Sequence, residues 1–416
     1  MLSIEPKNIS PAARYVVEGL QKAGFTAYVV GGCVRDLLLG HQPKDFDVAT
    51  NATPEEIHEQ FRGSRMIGRR FRLVHVRKGR EIIEISTFRG GQSHSKQGPA
   101  HGKNENIFGT FEEDAFRRDF TINALYYDPT KQELLDPTAR GLADLSARAL
   151  VIIGDPLTRF TEDPVRMIRA ARFLAKLGFE IDPSLEIVIK KNAALLQLVA
   201  PARLFEEFLK LSLAGQSEST FKALNDLNLL HPMFPFKHQT HQLTALEKHA
   251  LASTDERIRS GKSVTPAFLL ASLLWDAFIV EKQKSLEQGL GLLDAAQAAS
   301  DITVLDQLPA IAIPKRFTQT MKEIWALQDR LEFKVGRRPL KLLEHKRFRA
   351  AYDFLLLRGK VDTTLTETAD WWTRLQDEPP EVQRDMLKTL DRHPKQARRK
   401  KKRRRNPSAQ SENLAE

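Results

Sequence analysis

The chain has 416 residues, 41% of them hydrophobic and four of them Trp, enough apolar material for two or three cores and too much for a disordered protein. It contains no run of eighteen apolar residues, so no membrane insertion is expected, and a single cysteine (Cys33) excludes an internal disulfide and a cysteine metal cluster. Nine of the eleven net positive charges fall in residues 395–405, so the tail makes the chain basic and the rest has an ordinary balance.

Residues 1–27 read as a lead-in with one helix over 12–23. The first ten residues carry charge and no apolar core, so no signal peptide is expected, and a reducing cytoplasm is the expected location. Tyr28-Val29-Val30 is an apolar strand that stops at Gly31-Gly32, where the backbone turns tightly and approaches a phosphate without a Cβ in the way. Arg35 and Asp36 open an amphipathic segment with Val34, Leu37 and Leu38 on one face. Asp45 and Asp47 follow in an extended stretch, where alternate side chains point the same way. Two carboxylates beside a phosphate-sized turn suit Mg²⁺ and a nucleoside triphosphate.

Residues 73–76 and 81–86 read as adjacent strands joined at Lys78-Gly79-Arg80, and 90–106, with almost nothing to bury, as a mobile loop. Beyond about residue 158 the strand signal ends and helical spacing takes over, with breaks at Gly178, Pro183, Pro201, Gly215, Pro232, Pro235 and Pro314. Asp163-Pro164 is a helix opening, and Met167, Ala170, Ala171, Leu174 and Leu177 form the buried face of that helix. Arg166, Arg169 and Arg172 share another face at a spacing of three. From about residue 394 the chain loses its apolar residues and is expected to be disordered.

Gly31-Gly32-Cys33-Val34-Arg35-Asp36 with Asp45-Phe46-Asp47 resembles the head motif of the polymerase-β-like nucleotidyltransferases, in the class II branch of tRNA CCA-adding enzymes and poly(A) polymerases. Three further blocks agree in order: Arg117-Arg118-Asp119-Phe120-Thr121-Ile122-Asn123, Glu162-Asp163-Pro164-Val165-Arg166, and Pro201-Ala202-Arg203-Leu204-Phe205-Glu206-Glu207. The resemblance implies an α+β protein: a mixed α/β head over 28–157 carrying catalysis, and a helical neck over 158–235 for nucleotide recognition and RNA binding. A helical body over 236–393 and the disordered basic tail over 394–416 complete it.

It also implies nucleotidyl transfer with two Mg²⁺ ions and ATP as substrate. Asp45 and Asp47 are the expected metal ligands. Asp119 and Glu84 compete as third carboxylate, with Asp119 ahead because the resemblance favours it. A strand-edge charge is the alternative for Glu84, and an ion pair with Arg117 or Arg118 for Asp119. Gly31, Gly32, Arg35 and Arg118 are expected around the triphosphate, with Asp36 orienting Arg35 or simply opening its helix. Asp163 and Arg166, with Arg169 and Arg172 on the same helix, are expected to bind the nucleotide, the first two at the Watson–Crick edge of the base.

The expected substrate is the 3′ end of an RNA (mRNA, small RNA or tRNA precursor). The tail Arg398-Arg399-Lys400-Lys401-Lys402-Arg403-Arg404-Arg405 would grip its phosphates. Residues 68–76 and 81–89, parts of the C-terminal third and the arginine-rich tail resemble the poly(A) polymerase group, so AMP addition is expected ahead of CCA addition. A non-catalytic RNA-binding protein on the same scaffold is the reading from another class, and retention of Asp45, Asp47 and Asp119 argues against it.

Overall fold

The computed structural model describes residues 3–68, 72–90, 108–238, 242–334 and 336–392. The loop read at 90–106 lies, apart from Gly90, outside the described residues, as does the basic tail. Two compact units divide the chain: Met1–Val199 with Asp226–Leu229, and Ala200–Asn225 with Leu230–Glu416. The division falls inside the stretch grouped from sequence as a neck, 158–235.

In the first unit, helix α1 (Pro11–Lys22) starts where Ser10 accepts from the amides of Ala12 and Ala13, with Pro11 at its first position. Strand β1 (Ala27–Val30) runs into helix α2 (Gly32–Leu38), then β2 (Asp47–Thr50) and α3 (Pro54–Gln60). Three strands follow, β3 (Arg65–Ile67), β4 (Leu73–Lys78) and β5 (Glu81–Thr87). The expected β4–β5 hairpin is present, with Lys78 opposite Glu81 and Gly79 turning at φ +62°. Helix α4 (Phe111–Arg117), strands β6 (Tyr126–Asp128) and β7 (Glu133–Leu135), and helix α5 (Gly141–Ser146) complete the sheet region.

The seven strands form one sheet in the order β3-β4-β5-β2-β1-β6-β7, antiparallel throughout except between β2 and β5. Its period-2 alternation separates two faces. One carries Val29, Val48, Ile83, Ile85 and Val74, all buried, and α1 packs against it through Ala13, Val16, Val17 and Leu20. Each of the larger aliphatic side chains buried there contributes about 1.5–3 kcal/mol. On the other face Tyr28, Phe88, Phe111 and Tyr126 cluster, with Phe111 and Tyr126 centroids 4.7 Å apart and Tyr28 and Phe111 5.1 Å apart. This cluster seats α4 on the sheet and leaves the other half of that face for polar side chains.

Helices α6 (Pro156–Glu162), α7 (Val165–Leu177) and α8 (Pro183–Asn192) close the unit. Gly178 ends α7 in the left-handed region at φ +62°, and Pro183 opens α8, as the sequence predicts. Among the described residues, the half beyond residue 158 is helical except for Glu180–Ile181, which pairs in parallel with Ala149–Leu150.

The second unit is helical among its described residues. Its interior is built on tryptophans whose indole N–H groups are satisfied, Trp325 donating to the Ala271 carbonyl (3.0 Å) and Trp372 to that of Leu331 (2.8 Å). Trp325 stacks on Phe278 at 4.8 Å. Asp255 caps helix Ser217–Asp226 by accepting from the amides of Ser217 and Glu218.

Candidate active site

The site begins with one row of side chains that crosses all seven strands. Register places Arg65 opposite His75, His75 opposite Glu84, Glu84 beside Asp47, Asp47 opposite Val30, Val30 opposite Tyr126, and Tyr126 opposite Leu135. Residues in one row face the same side, so Arg65, His75, Glu84 and Asp47 form a polar half beside the apolar half. Asp45 lies two residues before Asp47, and Phe46 between them is buried on the opposite side.

Glu84 is therefore not a strand-edge charge, because β5 lies between β4 and β2. Its carboxylate also meets His75 Nε2 at 3.2 Å. Asp47 keeps an exposed edge, yet the protein packed around it withdraws its carboxylate from water. That desolvation, together with the Glu84 and Asp45 charges and against the pull of Arg118, pushes the Asp47 carboxyl up to about 6. A cluster with surplus negative charge is one that a cation relieves.

The phosphate-sized turn stands beside it. Gly31 has φ +81°, a conformation an L side chain resists, and its amide donates to the Leu125 carbonyl (3.0 Å). A Cβ on Gly31 would stand 3.3 Å from Arg118 Nη1. Arg118 is fixed from behind, its Nη2 2.9 Å from Asp114 Oδ2 and its Nε donating to the Tyr126 hydroxyl (3.0 Å), which itself donates to Asp114 (2.7 Å). The guanidinium thus borders the glycine turn, and its charge acts on the Asp47 carboxylate. Cys33 is buried, and burial pushes its thiol up to about 12, so it is inert.

The structure brings Glu84, and not Asp119, to Asp47. Asp119 is buried, accepts from its neighbour's amide (Phe120, 2.8 Å) and from Asn123 Nδ2 (3.1 Å), and holds Arg169 at 2.6 Å. Its partner is neither Arg117 nor Arg118. Burial alone would raise its pKa, but Arg169, Asn123 and the Phe120 amide outweigh burial and hold its carboxyl below the usual range.

Arg35 likewise departs from expectation. It is 3% exposed, and it donates to Asp36 (2.8 Å from Nε) and Asn123 (2.5 Å from Nη1), supporting the turn from inside the protein. Asp36 does orient Arg35, and its other oxygen takes Lys176 at 3.0 Å. A closed chain of charges and amides results, Arg169–Asp119–Asn123–Arg35–Asp36–Lys176, that leaves α7 and returns to it around Phe173. The Arg35, Arg169 and Arg172 guanidiniums stand 5.2, 5.4 and 5.2 Å from the Phe173 centroid.

Helix α7 begins at Val165, one residue later than the opening read from sequence, and Asp163 accepts from the Val165 amide (3.2 Å). Arg166 is mostly enclosed, its Nη1 donating to the Arg159 carbonyl (2.7 Å) and to Glu162 (3.0 Å). The three arginines of α7 do not form a solvated stripe, since acidic and aromatic neighbours of the same unit hold them. Arg159 was not singled out from sequence, yet its Nη2 donates to the Arg117 and Arg118 carbonyls at 2.7 Å each and so secures the base of Arg118. Tyr126 was missed too, whereas Asp114 stands four residues before Arg118 on one helix face, a spacing that was legible.

Among the described residues, no three His, Cys, Asp or Glu side chains enclose an ion by themselves. The donor set of Asp45, Asp47 and Glu84 nonetheless fits Mg²⁺, which takes one or two carboxylates and completes its octahedron with water and substrate phosphates. The basic tail, Arg398 to Arg405, lies outside the described residues and has no place in this geometry.

The fold is shared with a solved nucleotidyltransferase. The Bacillus stearothermophilus CCA-adding enzyme in complex with CTP superposes at a TM-score of 0.59, with 24% identity, over 88% of this chain and 82% of that one. Residues 27–151 match the Poly A polymerase head domain, 178–239 the "Probable RNA and SrmB-binding site of polymerase A", and 288–406 the "Polymerase A arginine-rich C-terminus". Poly(A) polymerase I of Salmonella typhimurium is 44% identical over 96% of this chain and 89% of its own length. The CCA-adding enzyme of Lactobacillus helveticus is 41% identical, over 51% of this chain and 53% of its own length. The chain belongs to the poly(A) polymerase family of nucleotidyltransferases.

Proposed function

We propose that this protein adds AMP from ATP to RNA 3′-hydroxyl ends without a template, releasing pyrophosphate. The observation that carries the reading is the extent of likeness: the Salmonella poly(A) polymerase aligns over 96% of the chain, the Lactobacillus CCA-adding enzyme over 51%. The head fits both activities, so ATP preference is tested directly, by 3′-extension of an unstructured RNA and of a tRNA lacking its CCA end, each with ATP, CTP or both. A long ladder from ATP alone on the unstructured RNA is expected. Addition limited to C, C and A on the tRNA would make this a CCA-adding enzyme.

In this reading Asp45, Asp47 and Glu84 hold the metal, with Glu84 taking the place first expected of Asp119. Bound Mg²⁺ supplies Lewis-acid activation of the attacking 3′-oxygen and neutralises charge on the departing pyrophosphate. The Gly31-Gly32 turn admits the triphosphate close to the backbone, and Arg118 supplies fixed positive charge beside it. Charge that is already oriented costs no reorganisation when the transition state forms. Arg35 and Asp119 act one layer further in, keeping turn and helix in place.

We assign the base to Asp163 and Arg166. Arg166 spends Nη1 on Glu162 and the Arg159 carbonyl, which fixes the guanidinium plane and leaves its other edge for a base acceptor, while the Asp163 carboxylate accepts from an exocyclic amine. Arg169 and Arg172 support the helix from within the protein. The basic tail, with RNA phosphates as its partner, is assigned on charge alone: deleting 394–416 lowers RNA affinity more at low salt than at high salt. The neck and body serve to hold RNA.

A further inference from the structure

Segment 333–349 of the second unit contains seven Lys and Arg residues and one acid, Glu344. Four of the seven cations are engaged within the protein. Lys346 and Arg347 share Glu323 at 3.2 and 2.7 Å, Arg349 meets Asp353 at 3.0 Å, and Lys334 stands 5.5 Å from the Trp371 ring centroid. The remaining three, Arg337, Arg338 and Lys341, are exposed, and among the described residues none of them is within ion-pair distance of a carboxylate.

These three are held on a fixed support. Pro339 and Leu342 are the buried residues of helix Arg338–Leu343, and Leu342 joins the core of Leu331, Phe348 and Trp372. Arg338 and Lys341, at i and i+3, therefore share the outer face, with Arg337 just ahead of them. Phe333, four residues before Arg337 at the end of helix Lys315–Glu332, exposes half its surface. Fixed cations without internal partners, close in sequence to an exposed ring, are the combination that binds a single strand, where phosphates take the charges and a base takes the ring.

We propose that Arg337, Arg338 and Lys341, with Phe333, form a contact surface on the folded body for the backbone and one base of single-stranded RNA, separate from the Arg/Lys-rich tail. The surface rests on the proposed RNA 3′-end activity. Its role is to hold the RNA chain by its phosphates and one base.

The test uses the full chain with its tail, measuring affinity for an unstructured RNA from about 50 to 200 mM salt. Replacing Arg337, Arg338 and Lys341 together by Gln lowers the slope of log affinity against log salt by about 2, at about 0.7 per lost phosphate contact. Phe333→Ala lowers affinity roughly tenfold and leaves the slope unchanged. The charge-conserving set Arg337→Lys, Arg338→Lys and Lys341→Arg retains the slope, which separates lost charge from lost folding. An unchanged slope in the Gln variant of a parent that binds and extends RNA overturns the surface and leaves the proposed function standing. A parent that binds no RNA overturns both.

Discussion

Arg169 reaches 50 residues back along the chain to Asp119, with Nε and Nη2 both 2.6 Å from the same carboxylate oxygen. Through Asn123, Arg35 and Asp36 that pair is continuous with Lys176 on the same helix. Helix α7 is thereby tied to Asp119 and to Asp36, at two points seven residues apart in the helix.

Removing the buried carboxylate tests this bracing. Asp119→Ala leaves Arg169 and Asn123 without their acceptor, and the loss expected is about 2–3 kcal/mol, measured by urea unfolding at neutral pH. The Asp119 pKa is depressed in the folded state, so its contribution is present above about pH 4 and fades as pH falls through the folded value. Asp119→Asn should therefore flatten the acid limb of the stability profile, and an unchanged limb would show that the pair contributes nothing.

Glu84 separates from Asp119 by the quantity each variant changes. Glu84→Gln should reduce transfer by about a hundredfold or more with little loss of stability, because it weakens a metal site and opens no cavity. Steady-state extension beside thermal melting decides the matter. Full activity in Glu84→Gln would return the third-carboxylate role to Asp119.

Under the proposed metal assignment, protons and metal compete at Asp47. Its carboxyl lies near 6 without metal, so Mg²⁺ affinity should fall by up to about tenfold per pH unit below that value. The stability of the metal-free protein moves the other way. The folded pKa is raised above the unfolded one, so this group favours folding increasingly as pH drops from about 6 towards 4. Calorimetric Mg²⁺ titration across this window checks the first trend, and Glu84→Gln should displace it to lower pH.

Gly31 should tolerate no side chain. Gly31→Ala forces a Cβ into φ +81° and to 3.3 Å from Arg118 Nη1, at about 1–2 kcal/mol of backbone strain. Weaker ATP binding should accompany that cost, since Arg118 must shift. Equilibrium binding of a non-hydrolysable ATP analogue would reveal it, and wild-type affinity would remove the turn from the phosphate site.

What the sequence determined was local. The strand stopping at Gly31, the β4–β5 hairpin, the end of α7 at Gly178, the start of α8 at Pro183 and the Asp45/Asp47 pair depend on neighbours a few residues apart, so propensity, caps and alternation were enough to read them. The partners were a tertiary matter. Arg65, His75, Glu84, Asp47, Val30, Tyr126 and Leu135 span residues 30–135 and become one row only through the register of seven strands, one pair of them parallel. Asp119 carries the stronger motif, but register gives Asp47 its neighbour, and burial beside Arg169 turns Asp119 inward. A carboxylate reads the same in a sequence whether it will face a metal or a guanidinium; which of the two it meets is decided by the strand beside it and the helix above it.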